Sequence, residues 1–98
     1  MENQNQQKIN IKFPDSKLGG EYSNLMQILH NKEEFVLDFL NVFPPSGVLG
    51  SRVIVSPGHL KRMVKVMKEN LDKYEKQFGK IEESEAPDSG KIGFEDRG

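Results

Sequence analysis

Few residues in this chain could do chemistry, and their spacing limits what that chemistry is. There are two histidines, His30 and His59. His59 lies three residues after Ser56, a spacing that invites a nucleophile and its base. Ser56 also precedes Pro57 at the start of a long segment of helical periodicity. There its hydroxyl is wanted as an N-cap, facing backbone N–H groups. His30 falls in a polar turn, and no His or Glu stands at metal-ligand spacing from another. The chain contains no cysteine. That excludes a disulfide framework, a thiolate zinc site, an iron–sulfur cluster and a cysteine nucleophile. The segment Gly47–Gly50 is not followed by Lys and Ser/Thr, so it is no phosphate loop. The expectation is a non-enzymatic protein without catalytic residues, metal or cofactor.

The charged residues say more. Lys61, Arg62, Lys65 and Lys68 follow His59 in the first half of the expected helix, with no acid among them. Cations there oppose the helix dipole. One explanation is a patch that contacts an anion or nucleic acid. A second is a solvated face, relieved locally by Lys65–Glu69 and Lys68–Asp72 at i,i+4. A third is screening by an acidic C-terminal segment. The formal charge of -1 hides this division.

Composition divides the chain into a polar leader at 1–7, one domain at 8–79, and a disordered acidic tail at 80–98. Glu82, Glu83, Glu85, Asp88, Glu95 and Asp96 stand in that tail among Pro and Gly. Ile92 and Phe94 are a candidate docking patch within it. No secretory leader or membrane-length apolar run is present, so a cytoplasmic protein without membrane contact is expected. The remaining seventy or so residues make a marginal domain, and association is the usual support at that size.

Period-two patterning runs through the first half. Ile9, Ile11 and Phe13 alternate with polar residues over Lys8–Phe13, Glu21–Leu29 follows, and Glu34–Phe43 is the richest in Phe, Val and Leu. Asn31 as a helix cap leaves a helical reading open for the start of that third segment. Pro44-Pro45-Ser46-Gly47 breaks the chain, Gly50 closes the loop, and Ser51–Val55 forms a short fourth strand. Ser56-Pro57 starts a helix that runs to Phe78, with Gly79 closing it. Leu60, Val64, Met67, Leu71, Tyr74 and Phe78 recur at alternating steps of four and three, widened by Met63 and Val66. This stripe suits packing on the sheet, and its 3.5-residue period also suits a helical partner.

Symmetric hairpins put Tyr22, Met26, Ile28, Phe35, Leu37, Phe39, Phe43, Val53 and Val55 on one sheet face, with Ile9, Ile11 and Phe13 beside them. The opposite face carries Leu25, Gln27, Leu29, Val36, Asp38, Leu40, Val42, Arg52 and Ile54. One helix cannot cover both faces. Leu25, Val36, Asp38, Leu40, Val42, Arg52 and Ile54, with Leu71, Tyr74 and Phe78 at the helix end, are therefore the candidate oligomer interface. Asp38 and Arg52 share a face as an ion pair at that interface or as a ligand-binding pair.

Four blocks are characteristic in order and spacing: Glu21-Tyr22-x-Asn24; Phe35-x-Leu37-Asp38-Phe39; Ser51-Arg52-Val53-x-x-Ser56-Pro57-x-His59-x-Lys61-Arg62; and Glu69-Asn70-Leu71-x-x-Tyr74-Glu75-x-x-Phe78-Gly79. Over residues 21–81 the chain resembles the small prokaryotic domain-of-unknown-function family 3467. Gly58 departs from the pattern, which leads one to expect an acidic residue there. The resemblance implies a single cytoplasmic domain and no assigned activity, so it carries over no site residue. The expected fold is α+β: an antiparallel four-stranded meander sheet followed by one long C-terminal helix packed on a face. The expected state is a homo-oligomer, most simply a dimer, that acts through protein contacts with a partner the sequence does not name. A nucleic-acid-associated regulator is the alternative.

Overall fold

A computed structural model of the chain describes residues 7–87. The polar leader up to residue 6 and the tail from Asp88, with Ile92 and Phe94, lie outside the described residues. The element order is α1 (Asp15–Leu18), β1 (Leu25–His30), β2 (Phe35–Phe43), β3 (Ser46–Val55) and α2 (Pro57–Phe78). The three strands form one antiparallel sheet in the order β1-β2-β3. The class is α+β, as expected, but the sheet has three strands and not four.

The missing strand is Lys8–Phe13. It joins no ladder, and Ile9, Ile11 and Phe13 are exposed, Ile9 at 78%. Alternation reports that one side of a segment is apolar; it does not supply the pairing partner. Here no tight turn sets a register to β1, because a helical turn and the Gly19-Gly20 pair intervene.

The two hairpins follow from their turns. Asn31 Oδ1 accepts from the backbone N–H of Glu33 and Glu34 at 2.8 and 2.9 Å, and Asn31 N–H donates to Glu34 O. Asn31 thus caps a turn, not a helix. The second turn is shorter than expected. Pro44 and Pro45, joined by a cis peptide, occupy both turn positions, and Phe43 pairs directly with Ser46. Neither proline needs to donate to a ladder there. Residues 46–50, expected to be loop, therefore belong to β3, and Gly50 forms a bulge opposite Phe39/Leu40.

The register pairs Leu25 with Leu40, Val36 with Ile54 and Asp38 with Arg52. These partners agree with the two expected faces. Tyr22, however, lies before β1 and outside the sheet. The entry to β1 is held by side chains instead. Asn24 Nδ2 donates to Val42 O at 2.8 Å, while Asn24 Oδ1 accepts from Val42 N–H at 2.8 Å. Ser23 Oγ donates to Leu40 O at 3.0 Å. The Asn24 amide thereby substitutes for a strand residue and satisfies both backbone groups of Val42.

The largest departure concerns α2. Ser56 caps it, its Oγ accepting from His59 N–H at 3.2 Å. Gly79 closes it at φ 99°, its N–H donating to Glu75 O. Both ends are where the residues place them. Yet none of its 22 residues is buried. Only Leu60 and Met63 of the stripe are half-buried. A single residue, Ser56, joins β3 to α2. The helix is not packed on a sheet face as expected; it leaves from the end of β3.

Removing the Asn24 amide leaves both Val42 backbone groups without those partners. Asn24→Ala is expected to cost about 1–3 kcal/mol, and Asn24→Asp, which keeps the acceptor for Val42 N–H but turns a carboxylate oxygen on Val42 O, no less. Urea unfolding at one fixed protein concentration measures both.

Candidate functional site

The central strand holds what core there is. Among the described residues the buried apolar side chains are Leu37 and Val42, and the buried charged one is Asp38, 6% exposed. A carboxylate in that position needs a partner with matching geometry. Arg52, opposite on β3, supplies it: Nε donates to Oδ1 at 2.6 Å and Nη2 to Oδ2 at 2.9 Å. The arrangement is a two-pronged ion pair, with Arg52 itself largely exposed. Its hydrogen bond to Arg52 holds the Asp38 carboxyl below its ordinary value of 3.8; burial pulls the other way, and the Arg52 charge adds to the lowering. Each carboxylate oxygen thus accepts one N–H of the same guanidinium.

The register places Leu25, Val36, Asp38, Leu40, Val42, Arg52 and Ile54 on one face. Asp38 and Val42 are already buried within the chain, Leu25, Val36 and Leu40 are half-buried, and Arg52 and Ile54 are exposed. Leu29 is also exposed on that face, and Met26, Ile28 and Val53 are exposed on the other. Both sides of the sheet thus offer apolar surface. Leu71, Tyr74 and Phe78 stand on α2 and are exposed, Phe78 at 66%. Tyr74 and Phe78 rest on each other with ring centroids 4.9 Å apart. These three are not brought together with the seven sheet residues.

His59, Lys61, Arg62, Lys65 and Lys68 are all exposed on the first half of α2, and the first turn contains no acid. Arg62 Nη2 lies 3.0 Å from His59 Nδ1. Lys68 Nζ lies 3.5 Å from Asp72 Oδ1, the local compensation expected at that spacing. Lys61 and Lys65 also edge a shallow apolar groove formed by Phe35, Pro57, Leu60 and Val64. Ser56 meets His59 through a backbone N–H, so the hydroxyl serves as a cap. His30 ends β1 against Phe35, centroids 5.2 Å apart, and is exposed. Among the described residues no cluster of three or more His, Cys, Asp or Glu could hold a metal ion. No described helix is long and apolar enough to cross a membrane.

Sequence reasoning missed two positioning roles. Glu75 Oε2 accepts from Ile81 N–H at 2.9 Å and ties the chain after Gly79 back to the helix. Asn24 joins β1 to the far end of β2. Both belong to the spaced blocks, but period-based patterns do not register side chains that bond to backbone. Beyond the helix, Ser84, Glu85 and Pro87 border a broad surface depression with Tyr22–Met26 and Phe39.

Fold and surfaces define a small α+β chain: a three-stranded antiparallel sheet with an uncovered C-terminal helix. The family model described as "Protein of unknown function (DUF3467)" matches residues 1–83, and the chain belongs to that family. No curated protein and no solved structure matches it.

A carboxyl whose acidity is raised by folding stabilises the fold above its ordinary value and stops doing so as pH falls through the lowered one. Folding stability should therefore hold above about pH 4 and decline below it. Asp38→Asn should flatten this acid limb of the denaturation midpoint against pH, at a lower overall stability.

Proposed function

We propose that this chain is a non-enzymatic assembly module that works as a homo-oligomer, most simply a dimer, and acts through protein–protein contacts. One observation carries the proposal. A capped helix of 22 residues bearing a continuous apolar stripe buries none of them within its own chain. Isolated helices gain little from propensity alone, and most helical stability in proteins comes from packing an apolar face. The sparsely covered sheet supports the same reading. Leu25, Val36, Leu40 and Ile54 are its sheet-side contacts, with the Asp38–Arg52 pair fixing their register, and Leu71, Tyr74 and Phe78 its helix-side contacts. A cytoplasmic setting belongs to the same proposal, and the Cys-free composition agrees with it.

The exposed basic half of α2 supports a second reading, a nucleic-acid-associated regulator. Lys61, Arg62, Lys65 and Lys68 present cations on a helix start whose first turn has no acid to neutralise them. Backbone-directed contacts of this kind weaken steeply with salt.

Light scattering coupled to size separation should give about twice 11.2 kDa throughout the micromolar range. Leu71→Asp should shift the species to a monomer; a wild-type monomer at every concentration would refute the assembly reading. For the second reading, binding to a random duplex should be strong at low salt and lost in the Lys61→Ala/Arg62→Ala/Lys65→Ala variant. The absence of any low-salt binding removes it.

A further inference from the structure

We infer that α2 is itself the dimer seam, pairing antiparallel with α2 of a second copy. This rests on the self-association proposed above and adds its geometry. Leu60, Val64, Met67, Leu71, Tyr74 and Phe78 keep strict steps of four and three, which assign them in turn to the d and a positions of a heptad. Val64, Met67, Leu71, Tyr74 and Phe78 are exposed in the single chain.

An antiparallel pair centred near Glu69 brings every stripe residue to a layer of its own. Leu60 meets Phe78 of the second copy, Val64 meets Tyr74, and Met67 meets Leu71. Each layer sets the smaller or more pliable side chain against the larger, which fills space without crowding. A parallel pair would instead set Tyr74 on Tyr74 and Phe78 on Phe78.

Charge favours the same direction. The first half of α2 carries Lys61, Arg62, Lys65 and Lys68 without an acid, while in the second half Glu69, Asp72 and Glu75 outnumber Lys73 and Lys76. Parallel pairing sets the two cation-bearing halves side by side, although Arg62 and Lys65, at the f and b positions, point away from the seam. Antiparallel pairing places Lys61 across from Glu75 of the second copy, twice by symmetry, and opposes the two helix dipoles. The unfavourable contact is Lys68 against its own copy near the dyad. Asp72, 3.5 Å from Lys68 in the same helix, offsets it.

The absence of native cysteine makes the geometry directly testable. In the antiparallel register Met63 of one copy faces Gln77 of the other, while the two Gln77 residues stand roughly 24 Å apart along the axis. An equimolar mixture of Met63→Cys and Gln77→Cys chains, re-equilibrated and treated with copper phenanthroline, should give a mixed disulfide dimer. Gln77→Cys alone should not cross-link. Lys61→Glu should weaken dimerisation about tenfold or more by sedimentation, and Lys61→Glu/Glu75→Lys should restore it. Cross-linking of Gln77→Cys alone means a parallel seam and overturns the inference. A dimer that yields neither cross-link overturns it as well, while leaving self-association standing through another surface. A monomer at all concentrations overturns both.

Discussion

A carboxylate placed at the middle of a central strand must be matched, and the match constrains everything around it. Asp38 lies on β2 between both neighbours of the sheet, almost wholly covered. Arg52 can reach it with two parallel hydrogen bonds only in the observed pairing of β2 with β3. A slip of one residue would move Arg52 to the opposite face and leave the carboxylate covered without it. The penalty for the slipped state, more than any attraction in the paired one, makes the register decisive. Once that register is set, Leu37 and Val42 fall into cover, and β3 delivers Ser56 and the helix at a defined end of the sheet.

The apolar side of the ledger is thin by comparison. Two buried aliphatic side chains among the described residues offset little of the entropy lost in ordering three strands and a long helix. Hydrogen bonds from Asn24, Ser23, Asn31 and Glu75 define the turns and ends locally, but such bonds return only a modest net gain each. The uncovered surfaces on α2 and on both sheet faces are where a larger stabilisation is available. Self-association and folding are in that case one process, and stability would depend on protein concentration.

Much of the local structure was legible in the residues. The Asn31 turn, the Ser56 cap, the Gly79 terminus and the division of β2 into two faces each follow from a side chain with one suitable conformation or from strict alternation. The Asp38–Arg52 pair could be anticipated because both fall on one face. Lys8–Phe13 shows where such reasoning stops. Its alternation is as clean as that of β1, yet a ladder also needs an edge and a turn to bring it there. The helix shows the same limit at larger scale. Its stripe establishes that something must cover Leu71 and Phe78, but a period is silent on whether the cover lies in the same chain. Residues 46–50 were obscured by glycine, read as loop although Gly47 sits closely against Val42 and Gly50 makes a bulge.

The one-residue joint at Ser56 has a mechanical meaning. A strand that runs into a helix through one residue places the sheet as a head at one end of a shaft of roughly 33 Å. With two shafts side by side and reversed, the heads would face outward from opposite ends. The assembly would then be a bivalent ruler. Its reach would be set by helix length, and it would engage two targets at once only when they lie at that spacing.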